Sequence, residues 1–129
     1  MEISIVIPVY NEDESLPELL AWIERVMQEN DFSYEVILVD DGSTDRSWEV
    51  ITELRHANPS VKGIKFQRNY GKSAALNEGF KAARGEVVIK MAADLQDSPE
   101  EIPELRQMIL DGKYDMVSGW KKLRHDPIS

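Results

Sequence analysis

Short runs of β-branched residues alternate along this chain with longer stretches of helical period. That alternation limits the fold more than any other feature. Ile3-Ser4-Ile5-Val6-Ile7-Pro8-Val9 reads as a buried strand. Further strands are expected over 35–39, 61–66, 86–91 and 114–119. After the first strand, Leu16, Leu19, Leu20, Ile23, Val26 and Met27 recur at helical spacing. Ser15-Leu16-Pro17-Glu18 has capping-box spacing for the start of that helix. Thr44 or Asp45 can cap a second helix, which carries Trp48, Ile51 and Leu54. An Ala-rich helix is expected over 71–83, ended by Gly85 in a left-handed conformation. Ser98-Pro99-Glu100-Glu101 starts a last helix, with Pro99 at its first position and glutamate as box partner. Pro103 distorts its first turn and Gly112 ends it. Strands that are apolar almost throughout have no face to spare for water. A mostly parallel sheet with helices on both faces buries them.

Composition narrows the function. A single domain over 1–129 is long enough for an ordinary core. The formal charge of −9 opposes a general nucleic-acid surface, which needs a basic face. It leaves room for a nucleotide, because a bound cation reverses the local field. With no cysteine there is neither a disulfide framework nor a thiolate metal site. No apolar run approaches the ~20 residues of a membrane span. Met1-Glu2-Ile3-Ser4 lacks the basic region of a signal peptide and enters a strand at once. The chain reads as soluble, with cytosolic topology.

Ligands of open parallel sheets bind beyond the carboxyl ends of the strands. The polar clusters of this sequence fall there. Tyr10-Asn11-Glu12 follows the first strand, Asp40-Asp41-Gly42-Ser43-Thr44-Asp45 the second, Arg68-Asn69-Tyr70-Gly71-Lys72 the third and Asp94-Leu95-Gln96-Asp97 the fourth. Each cluster has a plainer reading. Asp-Gly-Ser-Thr-Asp also suits a turn and helix cap. Asn69 to Lys72 also suits a loop entering a helix. Asp94 and Asp97 also suit a solvated loop, with Asp97 helping to cap. Their shared position in one architecture favours a site. There, Gly71 lets backbone approach a ligand and Lys72 sits near a phosphate. Trp22 and Trp48 lie on helix patterns and read as packing residues, and the isolated His56 and His125 read as surface.

Several familiar sites are absent. No Gly-x-Gly-x-x-Gly follows the first strand, and Gly71-Lys72-Ser73 is only a fragment of a phosphate-binding loop. A phosphoacceptor receiver would place its acidic pair after the first strand, not at Asp40-Asp41.

Ile7-Pro8-Val9-Tyr10-Asn11-Glu12, Val39 to Asp45, Arg68 to Lys72 and Ala93-Asp94-Leu95-Gln96-Asp97-Ser98-Pro99 together resemble family 2 glycosyltransferases. The subgroup most similar is that of polyprenyl-phosphate sugar transferases. The resemblance implies a GT-A (Rossmann-like) fold, here truncated, and metal-assisted, inverting hexosyl transfer from a nucleotide-diphosphate sugar donor. The implied acceptor is a polyprenyl phosphate on the cytoplasmic side of a membrane. It implies that Pro8, Tyr10, Glu12 and Asp41 line the base and ribose pocket, with Lys72 near the phosphates. Asp94 and Gln96 are implied as the catalytic pair that holds Mg²⁺ or Mn²⁺. An ionised phosphate acceptor needs no strong general base, which suits a chain without an evident catalytic histidine.

Two departures stand out. Where the family motif reads Asp-Ala-Asp, this chain has Ala92 at the first position, and Lys90 stands where a small or hydroxyl residue is more familiar. Natural variation with retained donor binding and a site that has lost activity are both open. Family members also continue into acceptor-binding segments and many into membrane helices, so the chain resembles the donor-binding part. The faces left open imply self-association as a homo-oligomer. A non-catalytic nucleotide- or partner-binding module and a transferase with a saccharide acceptor remain the alternatives.

Overall fold

The computed structural model describes residues 1–112. The strand expected over 114–119, the basic stretch 120–129 and His125 lie outside them. The described chain runs β1 (Ile3–Val9), α1 (Leu16–Glu29), β2 (Tyr34–Asp40), α2 (Ser47–Ala57), β3 (Val61–Lys65), α3 (Lys72–Ala82), β4 (Val87–Lys90), a 3-10 turn (Pro99–Glu101) and α4 (Ile102–Leu110). The strands form one sheet of order β3-β2-β1-β4, and every pairing is parallel. The α/β, mostly parallel architecture expected from the alternation is therefore present. Strand ends differ from the expected ones by a residue or so, because pairing decides them: Asp40 belongs to β2 since it pairs with Val9 on one side and Lys65 on the other.

Strand alternation divides the apolar residues between two cores. Ile3, Ile5 and Ile7 of β1 face the buried surfaces of α1, α2 and α4, in a core that also takes Val36 and Leu38. Val6 faces the other way, with Ile37, Val39 and Ala75, under α3. That second layer is thin because α3 lies close to the sheet. A Cβ added at Gly79 would stand 2.3 Å from Cγ1 of Val6. The first two crossovers lie on one face and the third on the other. β4 consequently pairs with β1 on the side away from β2, and the order of the sheet reverses between β1 and β4.

Several local expectations need correction. Ser15 precedes α1, but its side chain makes no capping bond to the helix. Its hydroxyl donates instead to the carbonyl of Ala93, 2.7 Å away. Asp45 does serve the start of α2, accepting from the Ser47 amide at 2.9 Å. Gly85 is not left-handed, and α3 ends in extended backbone at Ala83. Glycine is required at 85 for another reason: a Cβ there would lie 2.6 Å from the Ser4 nitrogen. Ahead of α4, Ser98 accepts from the Glu100 amide. The strain expected from Pro103 is absorbed by the 3-10 turn, which leaves that proline in the first turn of α4, where no amide is needed. Gly112 follows α4 with φ of 76°, as expected. Trp22 and Trp48 pack against the core, and His56 is exposed.

A polar clasp closes the end of the sheet opposite the strand-end loops. Glu35 is fully buried within β2. Its carboxylate accepts from the Ser4 hydroxyl at 2.6 Å, from the Arg84 amide at 2.7 Å and from the Lys62 ammonium. Burial raises the pKa of this carboxyl, but those three donors outweigh it and hold the value below the ordinary glutamate range.

Candidate functional site

At the sheet reversal, a cavity of about 200 Å³ lies beyond the carboxyl ends of β1 and β4. Its lining comes from Pro8, Val9, Tyr10 and Glu12 beyond β1, Asp41 beyond β2, Lys72 at the start of α3, and Ala92, Ala93, Asp94 and Gln96 beyond β4. Every residue singled out in the sequence for donor or metal contact thus borders one cavity. Crevices of this kind are where open parallel sheets take their ligands.

The loops around the cavity are tied to each other by side chains. Asn11 adopts a left-handed φ of 53°, which asparagine tolerates better than most residues. Its Oδ1 accepts from the amides of Thr44 (2.8 Å) and Asp45 (3.2 Å), and its own amide donates to Ser43 Oγ at 2.9 Å. The buried Ser47 hydroxyl accepts from the Glu12 amide at 3.0 Å. Between the same two loops, the Asp13 amide donates to Asp45 Oδ2 at 3.3 Å, and Asp13 Oδ2 accepts from the Arg46 amide at 3.2 Å. Burial raises the Asp45 carboxyl pKa, but bonds from Ser47 and Asp13 outweigh it and leave the group below the usual aspartate range. Asn11, Asp13 and Ser47 were not among the expected site residues. The signal in the sequence was an asparagine directly after a strand, and nothing there paired it with position 44.

Asp41 is only 4% exposed. Its Oδ1 accepts from the Tyr70 amide at 2.7 Å and its Oδ2 from the Gly71 amide at 3.1 Å. The carboxylate therefore borders the cavity and also holds the β3–α3 loop that carries Lys72. Gly42 brings the two loops into contact, since a Cβ there would fall 2.3 Å from the Arg68 carbonyl carbon. Gly71 has φ of 104°, a left-handed value that suits glycine, and a Cβ there would meet nothing within 4 Å. Tyr70, 55% exposed, stands edge-on to Phe66, and Arg68 lies over its ring at 4.9 Å.

Beyond β4, the left-handed Leu95 (φ 69°) turns the chain so that Asp94 and Gln96 meet. Oδ1 of Asp94 accepts from the Gln96 amide at 3.2 Å, and Oδ2 lies 3.3 Å from Gln96 Nε2. That places Oε1 as the atom of Gln96 suited to a cation. Asp97 departs from the expected solvated loop. It is fully buried, and its Oδ2 accepts from the Ala92 amide at 2.9 Å, so it shapes the turn instead of capping the helix. Among the described residues no group of three histidine, cysteine, aspartate or glutamate side chains is placed to hold a metal. Asp94 and Gln96 still fit a hard cation, as adjacent oxygen donors, if a ligand's phosphates complete its shell.

Residues 4–126 match the sequence profile of glycosyl transferase family 2. The chain belongs to this family. Its α/β fold is that of the GT-A glycosyltransferases. The undecaprenyl-phosphate 4-deoxy-4-formamido-L-arabinose transferase of Aeromonas hydrophila subsp. hydrophila is 45% identical over 125 residues, which is 96% of this chain and 38% of that protein. The chain thus spans a little over a third of that relative's length. S. aureus TarS, solved with UDP-GlcNAc, superposes with a TM-score of 0.65 at 27% identity, over 86% of this chain and 32% of that one. The mannosyltransferase PcManGT from Pyrobaculum calidifontis, solved with GDP-Man and Mn²⁺, gives 0.63 at 28% identity over 72% and 27%. Among the described residues no helix is long and apolar enough to cross a membrane.

Proposed function

We propose that the cavity between β1 and β4 binds the nucleoside diphosphate of a sugar donor, and that the protein transfers the sugar to a polyprenyl phosphate with inversion. The observation that carries this reading is the convergence of Pro8, Tyr10, Glu12, Asp41, Lys72, Asp94 and Gln96 on one cavity at the sheet reversal. Support comes from the relative named for transfer involving undecaprenyl phosphate and from neighbours solved with UDP-GlcNAc and GDP-Man. In this assignment Pro8, Tyr10, Glu12 and Asp41 border the base and ribose, and Lys72 faces the phosphates. Asp94 and Gln96 hold Mg²⁺ or Mn²⁺ against the diphosphate. The metal, when bound, offsets the charge that builds on the departing diphosphate.

The transfer balances without a protein base. An acceptor phosphate oxygen attacks the anomeric carbon from the face opposite the donor diphosphate. The bond from that carbon to the diphosphate oxygen breaks, and the nucleoside diphosphate leaves with the electron pair. The acceptor oxygen is already ionised, so no proton need be removed.

Calorimetric titration with UDP, GDP and their sugars, with and without Mn²⁺, tests the donor site. Binding of at least one nucleotide is the expected result, and a folded sample that binds none of them would refute it. Turnover with undecaprenyl phosphate, assayed first with the nucleotide-linked 4-deoxy-4-formamido-L-arabinose, tests the acceptor assignment. Transfer to a saccharide and not to the lipid phosphate would overturn it.

A further inference from the structure

Ser15 touches two residues that line the donor cavity from opposite sides of the sheet reversal. Its hydroxyl oxygen lies 2.7 Å from the carbonyl oxygen of Ala93 and 3.1 Å from Oε2 of Glu12. Glu12 follows β1 and Ala93 follows β4, and both border the cavity. Helix α1 makes no use of this hydroxyl. Ser15 has helical backbone angles (φ −84°, ψ −24°), whereas a capping serine is extended. It gives the helix only its carbonyl, which accepts from the Leu19 amide at 3.0 Å.

A hydroxyl has one hydrogen to donate, and a carbonyl and a carboxylate only accept. The two contacts therefore compete. The shorter one favours Ala93, while the charge of Glu12 makes it the stronger acceptor. The Glu12 carbonyl, at 3.3 Å, is a poorer acceptor because it already takes the Leu16 amide. The outcome matters for Asp94, the next residue after Ala93. Met91 is still bonded to the sheet, its amide donating to the Val6 carbonyl at 3.0 Å, and the chain then leaves it. Farther along, Glu100 ties this segment to α1 by accepting from Trp22 Nε1 at 2.7 Å and Arg25 at 3.1 Å. That side chain is 52% exposed, so water competes for it. The bond from half-buried Ser15 to Ala93 is the tie to α1 beside Asp94.

Resting on the donor-binding reading, we propose that Ser15 is a positioning residue that couples the nucleoside end of the site to its metal end. A base N–H or ribose hydroxyl that donates to Glu12 satisfies that carboxylate and leaves the Ser15 hydrogen on Ala93. The loop is then held with Asp94 in place for the cation. In the empty site the hydrogen is shared, and the loop is held less firmly.

UDP and GDP are titrated into the protein in EDTA and in Mn²⁺, and the ratio of the two affinities gives the gain from metal. Ser15→Ala should lower that gain roughly fivefold, the effect of one hydrogen bond, with a smaller change in EDTA. Ser15→Thr, which keeps the hydroxyl, should retain it. Hydrogen exchange in EDTA reads the loop without metal. Nucleotide should slow exchange of the Asp94, Leu95 and Gln96 amides in the unaltered protein and in Ser15→Thr, but not in Ser15→Ala. Glu12→Gln removes the competing charge, so in that variant the same amides should exchange slowly before nucleotide is added. Circular dichroism checks that each variant is folded. The role assigned to Ser15 is overturned if binding gains nothing from Mn²⁺, or if Ser15→Ala changes the gain by less than about twofold. Equal losses in EDTA and Mn²⁺ would overturn it too, as would free Glu12→Gln exchanging as fast as the free unaltered protein. Each of these results, with nucleotide still bound by the unaltered protein, defeats this inference alone. Failure of both nucleotides to bind that protein under either condition defeats the donor-binding reading, and the coupling falls with it.

Discussion

Replacing Asp41 by alanine separates two ways in which a buried carboxylate can serve a nucleotide site. The family resemblance implies that Asp41 lines the base and ribose pocket. The structure shows its oxygens on the amides of Tyr70 and Gly71, at 2.7 and 3.1 Å. Hydrogen bonds to a charged group contribute about 1.5–3 kcal/mol each, so two set a ceiling of about 6 kcal/mol. Tyr70 is half exposed and the loop can relax into water, which reduces the expected loss to about 2–3 kcal/mol. For a chain of this length that corresponds to a fall in Tm of roughly 10 °C. The same change releases the loop that presents Lys72. Affinity for UDP or GDP should therefore fall at least about tenfold, a larger loss than for the nucleoside alone. Urea unfolding measures the first quantity and calorimetry with nucleoside and nucleoside diphosphate the second. Equal losses for nucleoside and diphosphate would refute the positioning role and return Asp41 to direct base contact. A stability change below about 0.5 kcal/mol would refute the strength assigned to the two bonds.

Three further expectations follow from named contacts. Glu35 has a folded-state pKa below the ordinary 4.5, so its contribution is present above that value and is lost as pH falls through the folded pKa. Glu35→Gln should reduce stability at pH 7 by about 1–3 kcal/mol and flatten the acid limb of the stability profile; an unchanged acid limb in urea titrations would contradict this. Gly79→Ala should destabilise by about 1–3 kcal/mol although alanine favours helix, because the new methyl meets Val6 at 2.3 Å. A gain in stability on thermal unfolding would show that α3 can shift at little cost. Asp94→Ala should abolish most of the Mn²⁺-dependent part of nucleotide affinity with little change in stability, whereas Asp97→Ala should lower Tm because it removes the acceptor of the Ala92 amide. Indistinguishable effects on metal-dependent binding would argue against Asp94 as the ligand.

The strand-end clusters were legible because a parallel sheet sends every strand to the same edge, so residues following successive strands meet whatever their separation in sequence. Tyr10, Asp41, Lys72 and Asp94 could be grouped on that ground alone. The detail of the loops was not legible. Asp94 and Asp97 are chemically the same and three residues apart, yet one borders the cavity and the other is buried under the Ala92 amide. Ser15 carried a capping signal and used its hydroxyl on Ala93 instead. Gly85 carried a helix-ending signal and is needed for its closeness to Ser4. For Ser15 and Gly85 a local rule supplied a plausible partner, and a residue distant in sequence supplied the real one.

The order of apolar runs and helical periods determined an α/β chain with a buried parallel sheet, because only that arrangement hides strands with no polar face. It also determined which edge of the sheet would carry the chemistry. Tertiary structure decided the sheet order, and with it the reversal between β1 and β4 that opens the cavity. It also decided the division of labour among the carboxylates. Whether an aspartate touches a ligand, braces a loop or closes a turn depends on which backbone amides reach it, and those come from parts of the chain whose spacing in sequence carries no record of the encounter.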